Sequence, residues 1–259
     1  MTTVLIICAV GLLTGIAIAL ISKFFSVKSD PLADEILNIL PGANCGACGF
    51  PGCGGYAAAL ASKTARPGAC SALNAEGVAK LTELLGVSAD TKEPKVAVVC
   101  CSGDDCVATR QADYNGINNC RDAMFVAAGA KTCTFGCLGL GACARACPFG
   151  AIEINEHNLA VVHKELCKGC GKCVQACPKK LIKLVPRSAQ IHVFCSSPLK
   201  GAQKRAACKG ACIGCGKCVR TAPENMRMDN GIALATVNYG NPPDAELAKC
   251  CPTKALREN

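Results

Sequence analysis

Twenty-four cysteines in a chain of 259 residues, most of them in short regular runs, restrict the fold more than any other feature. Cys167, Cys170, Cys173, Cys177 and Pro178 follow the spacing C-x2-C-x2-C-x3-C-P. Just upstream, Cys133, Cys137, Cys143, Cys147 and Pro148 form a looser copy, and Cys212, Cys215 and Cys218 repeat the triplet further on. Thiols at this spacing, closed by Cys-Pro, are ligand runs for iron–sulfur clusters. So many cysteines would suggest a disulfide scaffold in a short secreted chain, but this chain is long and shows no evident cleavable signal. Structural zinc is also held by four thiolates, yet it explains neither the repeated triplets nor the Cys-Pro ends.

In two-cluster ferredoxins the fourth cysteine of each run ligates the other cluster. That rule assigns one 4Fe-4S cluster to Cys147, Cys167, Cys170 and Cys173. A second takes Cys137, Cys143 and Cys177. Its fourth ligand is expected to be Cys133, because Leu140 stands where the middle cysteine of the triplet belongs. In the second half Ala222 replaces the fourth cysteine before Pro223, and only Cys250-Cys251-Pro252 follows. Under crossed ligation both losses remove the same cluster. One site remains: Cys212, Cys215, Cys218 and Cys251.

A further site precedes these runs. Cys45, Cys48, Cys53 and Cys70 surround a glycine-rich segment, CGACGFPGCGG, and glycine lets backbone N–H groups turn toward sulfur without a Cβ clash. The expectation is therefore at least four 4Fe-4S clusters. Cys101, Cys106 and Cys120, with Cys133 or a residue of the second half, are irregularly spaced material for a fifth. Cys100, Cys195, Cys208 and Cys250 remain as buried free thiols. His157, His163 and His192 receive no ligand role. No dinucleotide fingerprint, P-loop or nucleophile triad is present, so catalytic residues and further cofactors are not expected.

Composition fits a core built partly of clusters. Aromatic residues are 4% and Trp is absent. The formal charge of +9 counts every cysteine as neutral, whereas each 4Fe-4S unit with four thiolates carries roughly −2. Four such units nearly cancel the excess, and no basic block interleaved with aromatics points to nucleic acid.

Thr2 to Ile21 is uncharged and apolar, about the length a helix needs to cross the hydrocarbon of a bilayer. Nothing positive precedes it and no convincing cleavage site follows, so it is expected to be a single anchor rather than a signal peptide. Lys23 and Lys28 follow directly, which places the bulk of the chain in the cytoplasm. Cys8, inside the span, is given no metal.

After the anchor, Ser29-Asp30-Pro31 suggests an N-cap with Pro in the first turn, and Leu32, Ile36, Leu37 and Leu40 recur at helical spacing. Helices are also expected from about Tyr56 and from about Asn74 to Leu85, with a polar linker over Gly86 to Lys95. Beyond it VAVVCCS (Val96 to Ser102) echoes IHVFCSS (Ile191 to Ser197), and Cys133 to Pro148 echoes Cys208 to Pro223. The fold class is α+β: an anchor (1–25), a small helical 4Fe-4S domain (26–90), a two-cluster ferredoxin-like domain (96–190) and a second ferredoxin-like domain with one cluster (191–259).

The order of anchor, CGACGFPGC, CLGLGACARACPFGAI and CKGCGKCVQACPKKLI resembles the B subunit of the Rnf electron-transport complex in its longer form. The resemblance covers nearly the whole chain. It implies a subunit of an ion-translocating ferredoxin:NAD oxidoreductase in the inner membrane, which takes electrons from soluble ferredoxin and relays them to other membrane subunits. Ala222, Leu140 and the missing final triplet depart from the pattern and bear on the number of clusters. A relay subunit of another redox complex, such as a hydrogenase or a redox-sensor reducing system, is the alternative.

Overall fold

The computed structural model describes residues 1–24, 30–89, 93–229 and 231–258. Lys28 and Ser29, used above for orientation and capping, lie outside the described residues, as do linker positions 90–92.

Helix α1 (Thr2–Phe24) projects as one apolar rod. By length and composition its Thr2–Lys23 stretch can cross a membrane, and none of it is buried against the rest of the chain. Three helices follow: α2 (Pro31–Ile39), α3 (Gly52–Ala61) and α4 (Ala75–Leu85). The Asp30 carboxylate accepts from the Leu32 N–H at 3.0 Å, with Pro31 in the first turn where no N–H donor is needed. Asn74 caps α4 through the Gly77 N–H at 2.9 Å. Gly86, at φ 63°, ends α4 in the left-handed conformation that favours glycine. Ile36, Leu40, Tyr56, Leu60 and Leu81 form the core of this small unit. Leu37, expected on the same face, is 39% exposed. Helix α3 begins at Gly52, four residues ahead of the expected start, because the Asn44 side chain accepts from the Cys53 N–H at 2.8 Å.

The remainder is two copies of one plan. In the first, β1 (Lys95–Val99) pairs antiparallel with β4 (Ile182–Pro186) and encloses the hairpin β2 (Ile152–Ile154) and β3 (Ala160–Val162). In the second, β5 (Ile191–Val193) pairs with β8 (Leu256–Glu258) around the hairpin β6 (Met226–Asp229) and β7 (Leu234–Val237). Lys95 thus opens a strand rather than closing the linker. Short helices α5 (Cys120–Phe125), α6 (Ala142–Arg145), α7 (Lys172–Ala176), α8 (Gly201–Ala207) and α9 (Lys217–Thr221), with a 3-10 turn at Ala245–Cys250, join the strands.

Both cores are apolar side chains interleaved with cysteine. Val96, Val98, Ile152, Leu181 and Val185 pack with Cys101, Cys143, Cys167 and Cys173 in the first. Ile191, Met226, Leu247 and Leu256 pack with Cys195, Cys208 and Cys218 in the second.

Candidate metal centres

Each cysteine triplet is presented by the same backbone device. Gly141, Gly171 and Gly216, at φ 72°, 76° and 67°, stand at the N-caps of α6, α7 and α9. Two residues earlier, Gly139, Gly169 and Gly214 are also left-handed, and a Cβ there would lie 2.4–2.5 Å from the carbonyl oxygen of Asn158, Lys95 or Ala233. Only glycine allows each loop to press against its neighbouring strand or turn, so the thiols are held inward.

Four cysteine groups result. Cys147, Cys167, Cys170 and Cys173 line one pocket, walled by Ala97, Ile152 and Leu184. Cys212, Cys215, Cys218 and Cys251 line another. Cys45, Cys48 and Cys70 lie within electrostatic reach of one another, and Cys53 belongs to the same small core. The fourth group holds Cys137, Cys143 and Cys177, but its remaining member is Cys120, not Cys133. Asn119 caps α5 through the Arg121 N–H, which sets Cys120 on the wall of that pocket. Cys133 enters a turn closed by the Gly136 N–H to the Cys133 carbonyl, 3.0 Å, and its thiol lines a separate pocket with Cys101, Cys195 and Cys208.

Backbone N–H groups point at the sulfurs. Cys147 accepts from Ala151 at 3.3 Å and Cys177 from Leu181 at 3.4 Å, each four residues on, and Cys251 accepts from Leu256, five residues on, at 3.4 Å. The Ala97 N–H reaches Cys167 at 3.4 Å. Burial raises the thiols of Cys143 and Cys173 to about 12 and Cys218 to about 11, with crowding by neighbouring cysteines adding to it. Such thiols ionise only when metal takes the place of the proton. Among the described residues no three Cys, His, Asp or Glu side chains converge closely enough for a single metal ion. Sulfur-only donors, spread around apolar pockets and met by N–H groups, suit a cage of iron and sulfide.

The remaining cysteines and histidines lie elsewhere. Cys8 and Cys106 are exposed. Cys100 is buried beside Lys183 and Cys195, and Cys250 lies near Cys251 and Cys215. His163 meets Glu153 at 3.3 Å, and buried His192 has its Nδ1 3.2 Å from the Tyr239 hydroxyl.

This scaffold and these thiol groups define an iron–sulfur electron-transfer protein of ferredoxin type. Residues 40–72 match the family model described as "Putative Fe-S cluster", and residues 132–181 match the 4Fe-4S dicluster domain. Over 267 residues the chain is 40% identical to the B subunit of the proton-translocating ferredoxin:NAD(+) oxidoreductase complex of Clostridium ljungdahlii, covering 99% of this chain and 93% of that one. It is 38% identical over 207 residues to the B subunit of the ion-translocating oxidoreductase complex of Methanosarcina acetivorans, covering 80% and 78%. It is 42% identical over 201 residues to the B subunit of the Na(+)-translocating ferredoxin:NAD(+) oxidoreductase complex of Acetobacterium woodii, covering 78% of this chain but only 60% of that relative. The chain belongs to the B-subunit family of ion-translocating (Rnf) oxidoreductase complexes.

Proposed function

We propose that the chain takes electrons from reduced ferredoxin and passes them to membrane partners within an ion-translocating ferredoxin:NAD oxidoreductase complex. Its ligand sets are Cys45, Cys48, Cys53 and Cys70; Cys147, Cys167, Cys170 and Cys173; Cys120, Cys137, Cys143 and Cys177; and Cys212, Cys215, Cys218 and Cys251. A bound 4Fe-4S cluster supplies one-electron chemistry at a potential set by its surroundings. The observation that carries the reading is the adjacency of these groups. Cys45 is within electrostatic reach of Cys170, and Cys173 of Cys143, so the first three sets follow one another in space. The residues around them supply apolar walls that exclude water and N–H groups that favour the more negative state.

Helix α1 anchors the assembly, with Lys23 at its end toward the cluster domains, which are assigned to the cytoplasmic side. The donor assignment is tested by mixing the anaerobically purified chain with reduced ferredoxin. Rapid bleaching of the visible iron–sulfur absorption is expected, and a chain reduced by dithionite but not by ferredoxin would overturn it. Co-purification with the partners of a hydrogenase or a redox-sensor system would instead favour the alternative relay role.

A further inference from the structure

The four ligand sets leave a break. Three follow one another, while the Cys212 set lies in the other half of the repeat. Between them is the pocket lined by Cys101, Cys133, Cys195 and Cys208. Cys133 and Cys208 occupy matching places in the two copies, four residues before Cys137 and Cys212, while Cys101 and Cys195 each lie within two residues of the end of β1 and β5. Bonds between the halves close the pocket, from Thr109 N–H to the Ala207 carbonyl at 3.1 Å, Lys209 N–H to the Val107 carbonyl at 2.8 Å and the Ser102 hydroxyl to the Gly210 carbonyl at 2.9 Å.

We propose that Cys101, Cys133, Cys195 and Cys208 hold a fifth 4Fe-4S cluster shared by the two halves, with the Lys204 ammonium as the buried cation facing it. The proposal rests on the iron–sulfur reading of the chain. All four cysteines are 7–9% exposed. A Cβ on Gly103 would lie 3.5 Å from the Cys101 sulfur and 3.7 Å from that of Cys208, so both thiols converge over this one glycine. Sulfur-directed N–H groups recur here. Cys101 accepts from Gly103 at 3.3 Å and from Cys137 at 3.4 Å, and Cys195 and Cys208 accept from Ser197 and Gly210.

Lys204 is the independent observation. It is 2% exposed, lines the pocket, and its Nζ has no hydrogen-bond partner. An unpaired buried ammonium is strongly disfavoured unless an anion lies opposite. Lys204 is within electrostatic reach of Cys195. Lys131, 5% exposed, donates to the Gly103 carbonyl at 2.7 Å beside Cys101. When four thiols bind a 4Fe-4S core of charge 2+, four protons leave and about −2 remains, which supplies the anion that Lys204 lacks.

The position also closes the break. The Cys137 N–H is bonded to Cys101 on one side, and the Cys212 backbone N–H is bonded to Cys195 on the other. A cluster held there would lie between the Cys137 and Cys212 sets and would supply one-electron exchange with both.

The test uses the full-length chain, purified in detergent under anaerobic conditions, with iron and acid-labile sulfide counted per chain. About twenty irons are expected at four per site, falling by about four in a Cys195→Ala/Cys208→Ala double variant. About sixteen in the parent, or no loss in the variant, overturns the fifth site and leaves the other four. Near-zero iron overturns the iron–sulfur reading itself. If the double variant does not fold, Lys204→Met decides. It is expected to keep all the iron and to lower one midpoint in an EPR-monitored redox titration, with Lys204→Arg restoring it. Unchanged midpoints in Lys204→Met overturn the proposal.

Discussion

In the first half of the repeat, Ala97 of β1 lies against the pocket of Cys147, Cys167, Cys170 and Cys173. At the matching place in the second half, β5 carries His192, wholly buried, with its ring 5.8 Å from that of Tyr239. The strands are otherwise alike: Val96 and Ile191 are both fully buried, and each strand pairs antiparallel with the last strand of its half. The difference follows the cysteines. Cys147 corresponds to Ala222, and no second triplet follows in the later half. Where the first half sets small Ala97 beside that cysteine pocket, the matching place on β5 is taken by an imidazole with a phenol against it. Interiors are packed to near-crystalline density, so a lost cluster has to be replaced by side chains. The same contrast explains why Ala222→Cys is expected to add no iron.

The sharpest way to break this comparison is to move the second half's residue into the first. Ala97→His puts an imidazole where the N–H of residue 97 meets the Cys167 sulfur at 3.4 Å. The expected result is loss of about four irons per chain, one whole cluster, and of one EPR signal on reduction. Iron unchanged from the parent would show that Ala97 does not border a cluster.

Next in size is the pair Cys120→Ser and Cys177→Ser. Although far apart in sequence, both line the pocket of Cys137 and Cys143, so both are expected to damage the same signal and leave that of the Cys167 triplet. If Cys133→Ser removes the signal of the Cys137 cluster and Cys120→Ser spares it, the geometric grouping is wrong.

How much of this is legible without coordinates depends on whether a residue repeats. The crossing of Cys147 and Cys177, and the reach of Cys251 back to Cys212, follow from spacing because each Cys-Pro segment recurs. Cys120 has no counterpart in the other half, so spacing assigns its place to the nearer Cys133. The structure separates them because α5 carries Cys120 to the wall of one pocket while the turn at Cys133 delivers its thiol to another. Lys204 is invisible in the sequence for a different reason. Its meaning lies in burial without a partner, which one lysine among 28 basic residues does not reveal.

A smaller effect is expected from Tyr239→Ala. Its phenol packs against the first-half core and its hydroxyl lies 3.2 Å from His192, so truncation leaves a cavity and an unmet imidazole nitrogen. A loss of about 2 kcal/mol in apparent stability is expected, measured by denaturant melts of the anaerobic protein. Lys164→Ala, at the matching position of the first half, is expected to stay within about 0.5 kcal/mol. Equal losses for the two would mean that the aromatic filling does not distinguish the halves.

An effect of similar size is a dependence on pH. Burial, helped by the charge of Lys164, lowers the His192 pKa to about 4. Its value in an unfolded chain is about 6.5. Because the folded pKa is the lower one, the unfolded state binds the proton more readily. The stability gained by keeping His192 neutral is therefore full above about pH 6.5 and is lost as pH falls toward 4. Between pH 7 and pH 5 the loss from this one group is about 2 kcal/mol. Acid also loosens thiolate ligation, so the measurement has to be a difference. His192→Phe fills the same space without a titrating nitrogen, and its stability should fall less steeply than the parent's over that range. The difference between the two melts should therefore move in favour of the variant as the solution is acidified. Parallel pH profiles would show that His192 is protonated or solvated in the folded chain, and the second half would then not be the dry, side-chain-filled counterpart of the first.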